Sequence, residues 1–204
     1  MVTFSLCFYA NAGTSAGIGR NNATDAKAGQ KEEKDTSAFT SYRMDSSYFS
    51  CEIPSIWDFK REKDQDEEYR IYEIELIAPE SDKAPVTLFV SYYAGDNGDF
   101  DGYTDFIERN SSNALGETRN ARENYGPVKK TVLGRRKVFE LERERMVYLN
   151  PESKSDASVL LKEKLYILSA KDGFYVLHFT APETLFLKYL PVFERVSRSF
   201  KGRQ

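Results

Sequence analysis

VLLKEKLYILSAKDGFYVLHFTAPETLFLKYLPVFERVSRSF, residues 159–200, decides the fold. It reads as a strand, an Asp-Gly turn, a second strand and an amphipathic helix. In the strands, Leu165, Ile167, Phe174 and Val176 alternate with Tyr166, Leu168, Tyr175, Leu177 and Phe179, so both faces are apolar. An antiparallel sheet usually leaves one face to water, so two apolar faces predict a central hairpin covered above and below. Asp172-Gly173 suits the tight turn, because Gly takes positive φ at no steric cost. Phe186, Tyr189, Phe193, Val196 and Phe200 recur at steps of three and four, which is one face of a helix. Pro191 predicts a kink or a fresh helix start.

Upstream, the alternation of Phe49, Cys51 and Ile53 predicts a strand that Pro54 ends before Trp57. The charged run Asp58–Glu68 reads as a solvated loop, and Tyr69–Ala78 and Val86–Ala94 read as strands joined through Pro79 and Pro85. Tyr103–Ala114 is expected to be a helix capped by Asp101. Val128–Leu133, a Gly134-Arg135 turn and a long strand Lys137–Leu149 follow, then the polar loop Asn150–Ser158. In the long strand Phe139 and Leu141 share a face with Arg143 and Arg145, opposite Glu140, Glu142 and Glu144. The reading is about six or seven strands with one mid-chain and one C-terminal helix.

The chain of 204 residues is long enough for one well-buried domain, expected over 39–204. A net charge of −3, from 29 basic and 32 acidic side chains, argues against nucleic acid as the main partner. No apolar run approaches the length of a membrane span. Residues 1–38 combine a truncated signal-like segment, Val2–Ala10 with the small-x-small pattern Ala10-Asn11-Ala12, and a polar linker without period. This favours export, to the periplasm or beyond the cell, over the alternative of a cytoplasmic tail. Cys7 then belongs to a removed segment, and Cys51 reads as a small buried hydrophobe.

Four motifs in this order carry a family resemblance. Phe49-Ser50 with Pro54 and Trp57 comes first, then the Gly-led strand Gly134–Phe139, the hairpin run Gly173-Phe174-Tyr175-Val176, and the helix end with Val196, Ser199, Phe200 and Lys201. Together they resemble the PsbP-like family over roughly residues 45–202. The resemblance implies an α+β fold, an antiparallel central sheet flanked by helices in an α/β/α sandwich. The family includes extrinsic photosystem II subunits, a Ran-binding import factor and bacterial proteins without assigned roles. The resemblance implies a protein that binds or helps assemble other components and is generally not an enzyme. No motif here ties the chain to photosystem II.

Four groups of residues bear chemistry. Asn97 to Glu108 follows the calcium-loop template through Asn97, Asp99, Asp101, the Tyr103 carbonyl, Asp105 and Glu108, with Gly102 for the sharp turn. A strand instead of a helix precedes it, and the competing reading is a polar turn into a helix. Arg135, Arg136, Lys137, Arg143 and Arg145 form a basic group fit for an anionic partner, or for blocking edge-to-edge aggregation. Gly13-Thr14-Ser15-Ala16-Gly17 satisfies a hydrolase pattern but sits in the linker, without the strand and helix it needs. His178, the single histidine, reads as a core residue bonded to a neighbour. The sequence thus points to a non-enzymatic module binding an unknown protein through residues 95–102, 150–158 and the basic strand. It calls for no cofactor. The alternative is a calcium-binding module, and a carboxylate-dependent hydrolase comes third.

Overall fold

A computed structural model describes residues 38–149 and 157–203. The signal-like segment and linker up to residue 37, the Gly13–Gly17 pattern and loop residues 150–156 lie outside the described residues. The hairpin expected at the centre is there. Strands β9 (Ser158–Ala170) and β10 (Gly173–Pro182) pair antiparallel, and β10 also pairs with β5 (Ala84–Ala94). The eight-stranded sheet is completed on one side by β4 (Ile71–Asp82) and β3 (Asp58–Lys60). On the other side lie β8 (Arg136–Tyr148) and, both paired to it, β6 (Glu123–Tyr125) and β7 (Lys129–Leu133).

The two faces of the hairpin feed two separate cores. Tyr166, Leu168, Tyr175, Leu177 and Phe179 join the larger cluster beneath helix α3 (Glu183–Ser199). Leu165, Ile167, Phe174 and Val176 join a smaller cluster with Phe106 of helix α2 (Tyr103–Asn110). Helices thus flank the sheet on both sides, as an α+β sandwich requires. In the larger core Phe193 is fully buried, its ring 5.3 Å from Tyr166 and 5.5 Å from Phe179. In the smaller one the Tyr93 and Phe174 rings lie parallel at 4.7 Å. Burying one such ring is worth about 1.5–3 kcal/mol, so each face anchors its own helix.

Gly173 closes the hairpin under two constraints. Its φ is +143°, and a Cβ there would lie 2.0 Å from the Tyr93 carbonyl oxygen. A side chain has no room between β10 and β5.

A second sheet was not foreseen. β1 (Phe39–Arg43), β2 (Phe49–Pro54) and the two-residue β11 (Lys201–Gly202) form it, with β2 in the middle. Phe49 and Cys51 of β2 enter the larger core, and burial pushes the Cys51 thiol up to about 12, the behaviour of an inert hydrophobe. Trp57 is also buried there, edge-on to Tyr189 at 5.6 Å.

Several local expectations need correction. The run 58–68 is largely exposed, as expected, but it is not a loop: it holds β3 and helix α1 (Lys63–Tyr69), whose Asp66 is buried against Arg61, with Nη2 2.6 Å from Oδ2. Pairing removes the penalty that keeps lone charges in water. Helix α2 ends at Asn110, short of Ala114, and Asp101 does not cap it. Gly102 takes the cap position without a side-chain bond, and the Asp101 amide donates to Asp105 Oδ2 at 3.1 Å. Helix α3 runs as one 17-residue element through Pro191, with no fresh start. Pro191 is exposed and Leu187, one turn before it, is 78% exposed, so water reaches the backbone beside the lost hydrogen bond. Pro79 lies in β4 where the register slips between Ile77 and Ser81, a bulge that tolerates its missing donor.

Candidate functional site

Strand register places the polar residues in rows across the α2 side of the sheet. One row runs Glu73, Ser91, Val176, Ile167, Phe139, and another runs Ile77, Thr87, Thr180, Glu163, Arg143. Glu163 shares its face with Leu165 and Ile167, so alternation drives a carboxylate into the sheet layer, where its side chain is 0% exposed. Arg143 closes on it with Nη2 2.7 Å and Nε 2.8 Å from Oε2. Arg145 Nε lies 2.5 Å from Oε1, and His178 Nε2 donates to Oε2 at 2.8 Å. Arg143 Nη1 donates to Asn110 Oδ1 at 3.0 Å, tying the cluster to the end of α2. Burial alone would raise the Glu163 pKa; Arg143, His178 and Arg145 reverse it and hold the carboxyl far below the usual range. Burial keeps the His178 imidazole below its ordinary value, so it is neutral at pH 7 and bonded to a neighbour, as expected.

The basic group of the sequence is thereby divided. Arg143 and Arg145 are committed to Glu163, and Arg136 donates to the Ser197 carbonyl at 3.3 Å with its guanidinium 5.2 Å over Phe200. Arg135 and Lys137 remain exposed. The opposite face of β8 carries Glu140, Glu142 and Glu144, paired with Lys129, Lys162 and Lys164. Elsewhere on the α2 side, Glu73 accepts from Ser91 Oγ at 2.5 Å, and burial pushes its carboxyl up to about 7.

The calcium-template residues form a strand-to-helix turn. Asn97 Oδ1 accepts from the amides of Asp99 and Phe100 at 3.1 and 2.9 Å, and its Nδ2 donates to the Ala94 and Phe100 carbonyls. Asp105 is paired with Arg109 Nη2 at 2.7 Å, and Arg109 Nη1 donates to the Asp99 carbonyl. Tyr103 stacks on Phe139 at 5.6 Å, and Phe100 joins the Tyr93 and Phe106 rings. Among the described residues no group of three or more His, Cys, Asp or Glu side chains is placed to hold a metal ion.

A cleft of about 580 Å³ opens at the turn end of the main sheet, beside β11. Sequence reasoning missed it, because its walls come from five separate stretches. Tyr48, Tyr92 and Tyr175 line it together with Arg70, Asp96, Lys171, Asp172 and Arg203. The Tyr48 ring stacks on Tyr72 at 4.0 Å and on Tyr92 at 5.1 Å. Tyr175 Oη donates to the Tyr48 carbonyl at 3.0 Å and accepts from the Arg203 amide at 2.8 Å. A Cβ on Gly202 would lie 2.6 Å from the Tyr175 ring, so glycine lets β11 close this wall. Burial holds the Tyr72, Tyr92 and Tyr175 phenols above their ordinary value, so none adds negative charge. On the rim, Arg70 pairs with Asp96 at 3.2 Å, and the Arg203 guanidinium sits 5.8 Å over Tyr48.

No protein-family model matches the chain, and no curated protein does. Solved structures do. A Bacteroides thetaiotaomicron protein aligns over 80% of this chain at 13% identity with a TM-score of 0.48, and the chain spans about half of it, 48%. A Pseudomonas aeruginosa protein of unknown function aligns over 81% of this chain and 98% of its own, at 13% identity and a TM-score of 0.43. The solution structure of the cyanobacterial PsbP, CyanoP, from Synechocystis aligns over 86% of this chain and 99% of its own, at 10% identity and a TM-score of 0.52. With the antiparallel sheet held between α2 and α3, that match in three dimensions at low identity makes this chain a protein of PsbP-like fold.

Proposed function

We propose that this domain is a non-catalytic binding module that engages a partner protein, or helps assemble a complex, outside the cytoplasm. The cleft at the turn end of the sheet carries this reading, because it gathers tyrosine rings and outward-facing cations around an opening. It adjoins the loop that begins at Gly95, one of the segments the sequence marks for recognition. The signal-like residues Val2–Ala10 support the extracytoplasmic address. Among the described residues, no helix is long and apolar enough to cross a membrane.

The internal charges lend no support to chemistry. Glu163 is held ionised by two arginines and is closed to solvent. Glu73, whose carboxyl burial raises, stands on β4, with β5 and β10 between it and the Glu163 strand. Three strand spacings amount to about 14 Å. The carboxylate pair of a glycoside hydrolase flanks its bond at roughly 5–9.5 Å.

The test is site-specific photo-crosslinking in the organism that makes the protein, with the photoreactive residue replacing Asp172 on the cleft rim or, as a control, exposed Leu187. A discrete adduct to one protein at position 172 and none at 187 is expected. Equal labelling at both positions, or turnover of a substrate by the purified chain, overturns the reading.

A further inference from the structure

The rim charges of the cleft are unequally matched. Arg70 has Asp96, but neither Lys171 nor Arg203 forms an ion pair with a described residue. The three cations outnumber the two lining carboxylates, Asp96 and Asp172, although the chain as a whole is acidic at −3. Screening confines a field to about 8 Å at physiological salt, so a docking group senses this local excess and not the net charge. Of the stacked tyrosines, Tyr72 and Tyr92 are buried and Tyr48 is partly open, so Tyr48 is the ring a ligand meets.

The rim argues for a macromolecular ligand. Arg70 and Asp96 are 44% and 68% exposed, whereas a small-molecule site buries most of its ligand between its walls. An aromatic floor inside an exposed charged rim is the anatomy of a protein interface, in which one or two anchors fill a central pocket. We propose that the cleft binds a short acidic segment of a partner protein, its carboxylates on Lys171 and Arg203 and an adjoining proline or aromatic side chain against Tyr48. This rests on the binding-module reading above and specifies its partner chemistry.

The experiment titrates the ¹⁵N-labelled full chain with a pool of blocked acidic hexapeptides, rich in Asp and Glu around a central Pro-Tyr. A second pool replaces Asp and Glu by Asn and Gln, and benzoate serves as a free ring-bearing anion. The acidic pool is expected to shift the amides of Gly95, Lys171 and Arg203. Its binding should weaken roughly tenfold for the amide pool and for Arg203→Glu, and should fall as salt rises. Arg203→Glu should keep the melting temperature, since the bonds in this wall use the Arg203 backbone. Equal binding of the two pools, or no shift at those amides, overturns the inference. Benzoate binding as tightly as the acidic pool also overturns it, leaving a small-anion site. Shifts centred on Arg135 and Lys137 overturn it too, while sparing the broader reading that the domain binds proteins.

Discussion

The Glu163 cluster and the tyrosine cleft contain similar residues, arginines beside carboxylates and rings, and do opposite things. In the cluster, Arg143, Arg145 and His178 converge on one buried carboxylate, so each charged group there has an opposite charge within hydrogen-bond reach. In the cleft, Lys171 and Arg203 face water beside a half-open ring. The difference is where the strands end. Mid-sheet, alternation forces a charge into the layer, and it survives only if neighbours neutralise it. At the turn end, the chain breaks off its ladders and charges stay solvated at little cost. Charge content therefore does not mark a site in this fold; unmatched charge at an opening does.

The comparison breaks most visibly at Glu163. Glu163→Ala leaves two guanidinium groups facing each other in the sheet layer and should cost about 3–5 kcal/mol. At roughly 2–4 degrees per kcal/mol, a thermal melt should fall by some 6 to 20 degrees. Next in size is Gly173→Ala, which drives a methyl into the Tyr93 carbonyl and should cost upwards of about 2 kcal/mol in a denaturant titration.

Stability against pH sharpens the contrast between carboxylates on the same side of the sheet. Glu163 titrates lower in the folded chain than in the unfolded one, so its contribution is present above about pH 4.3 and is lost on acidification. Neutral His178 adds a loss in the same direction, beginning below its unfolded value of about 6.5. Glu73 behaves in reverse. Its folded pKa of about 7 lies above the unfolded value, so stability is lost as pH rises from about 4.3 through 7. Glu73→Gln, which keeps an acceptor for Ser91, should therefore raise the melting temperature by several degrees at pH 8 and change it little at pH 4.

Effects at the surface should be small. Arg203→Glu should move stability by no more than about 0.5 kcal/mol. Millimolar calcium should leave the melting temperature unchanged, because Asn97 and Asp105 already spend their oxygens on the turn amides and Arg109. An upward shift of several degrees, abolished by Glu108→Gln, would make the 97–108 turn a cation site instead.

Much of the architecture was legible where one period repeats over a long stretch. The two-sided alternation of 165–179 and the helical spacing of 186–200 specify the hairpin, its two cores and α3. Short or charge-rich elements were not. Arg61 and Asp66 look solvated in sequence because nothing local shows that they pair. β11 is two residues long and has no period to read. The cluster left a trace: Glu163 sits two and four residues before Leu165 and Ile167, and Arg143 shares its face with Leu141. An acid and bases on apolar faces of strands that pair need one another, and the register decides that they meet. The cleft left none, since Tyr48, Arg70, Tyr92, Lys171 and Arg203 meet only through tertiary packing.

The most direct test measures affinity for the acidic peptide pool in two variants at a temperature where both are folded. Arg203→Glu disturbs the cleft alone, and Arg143→Lys disturbs the cluster alone. The account predicts a roughly tenfold loss of affinity with an unchanged melt for Arg203→Glu, and unchanged affinity with a melt lowered by several degrees for Arg143→Lys. Affinity retained in Arg203→Glu and lost in Arg143→Lys would contradict it, moving the binding site from the rim of the sheet to its interior.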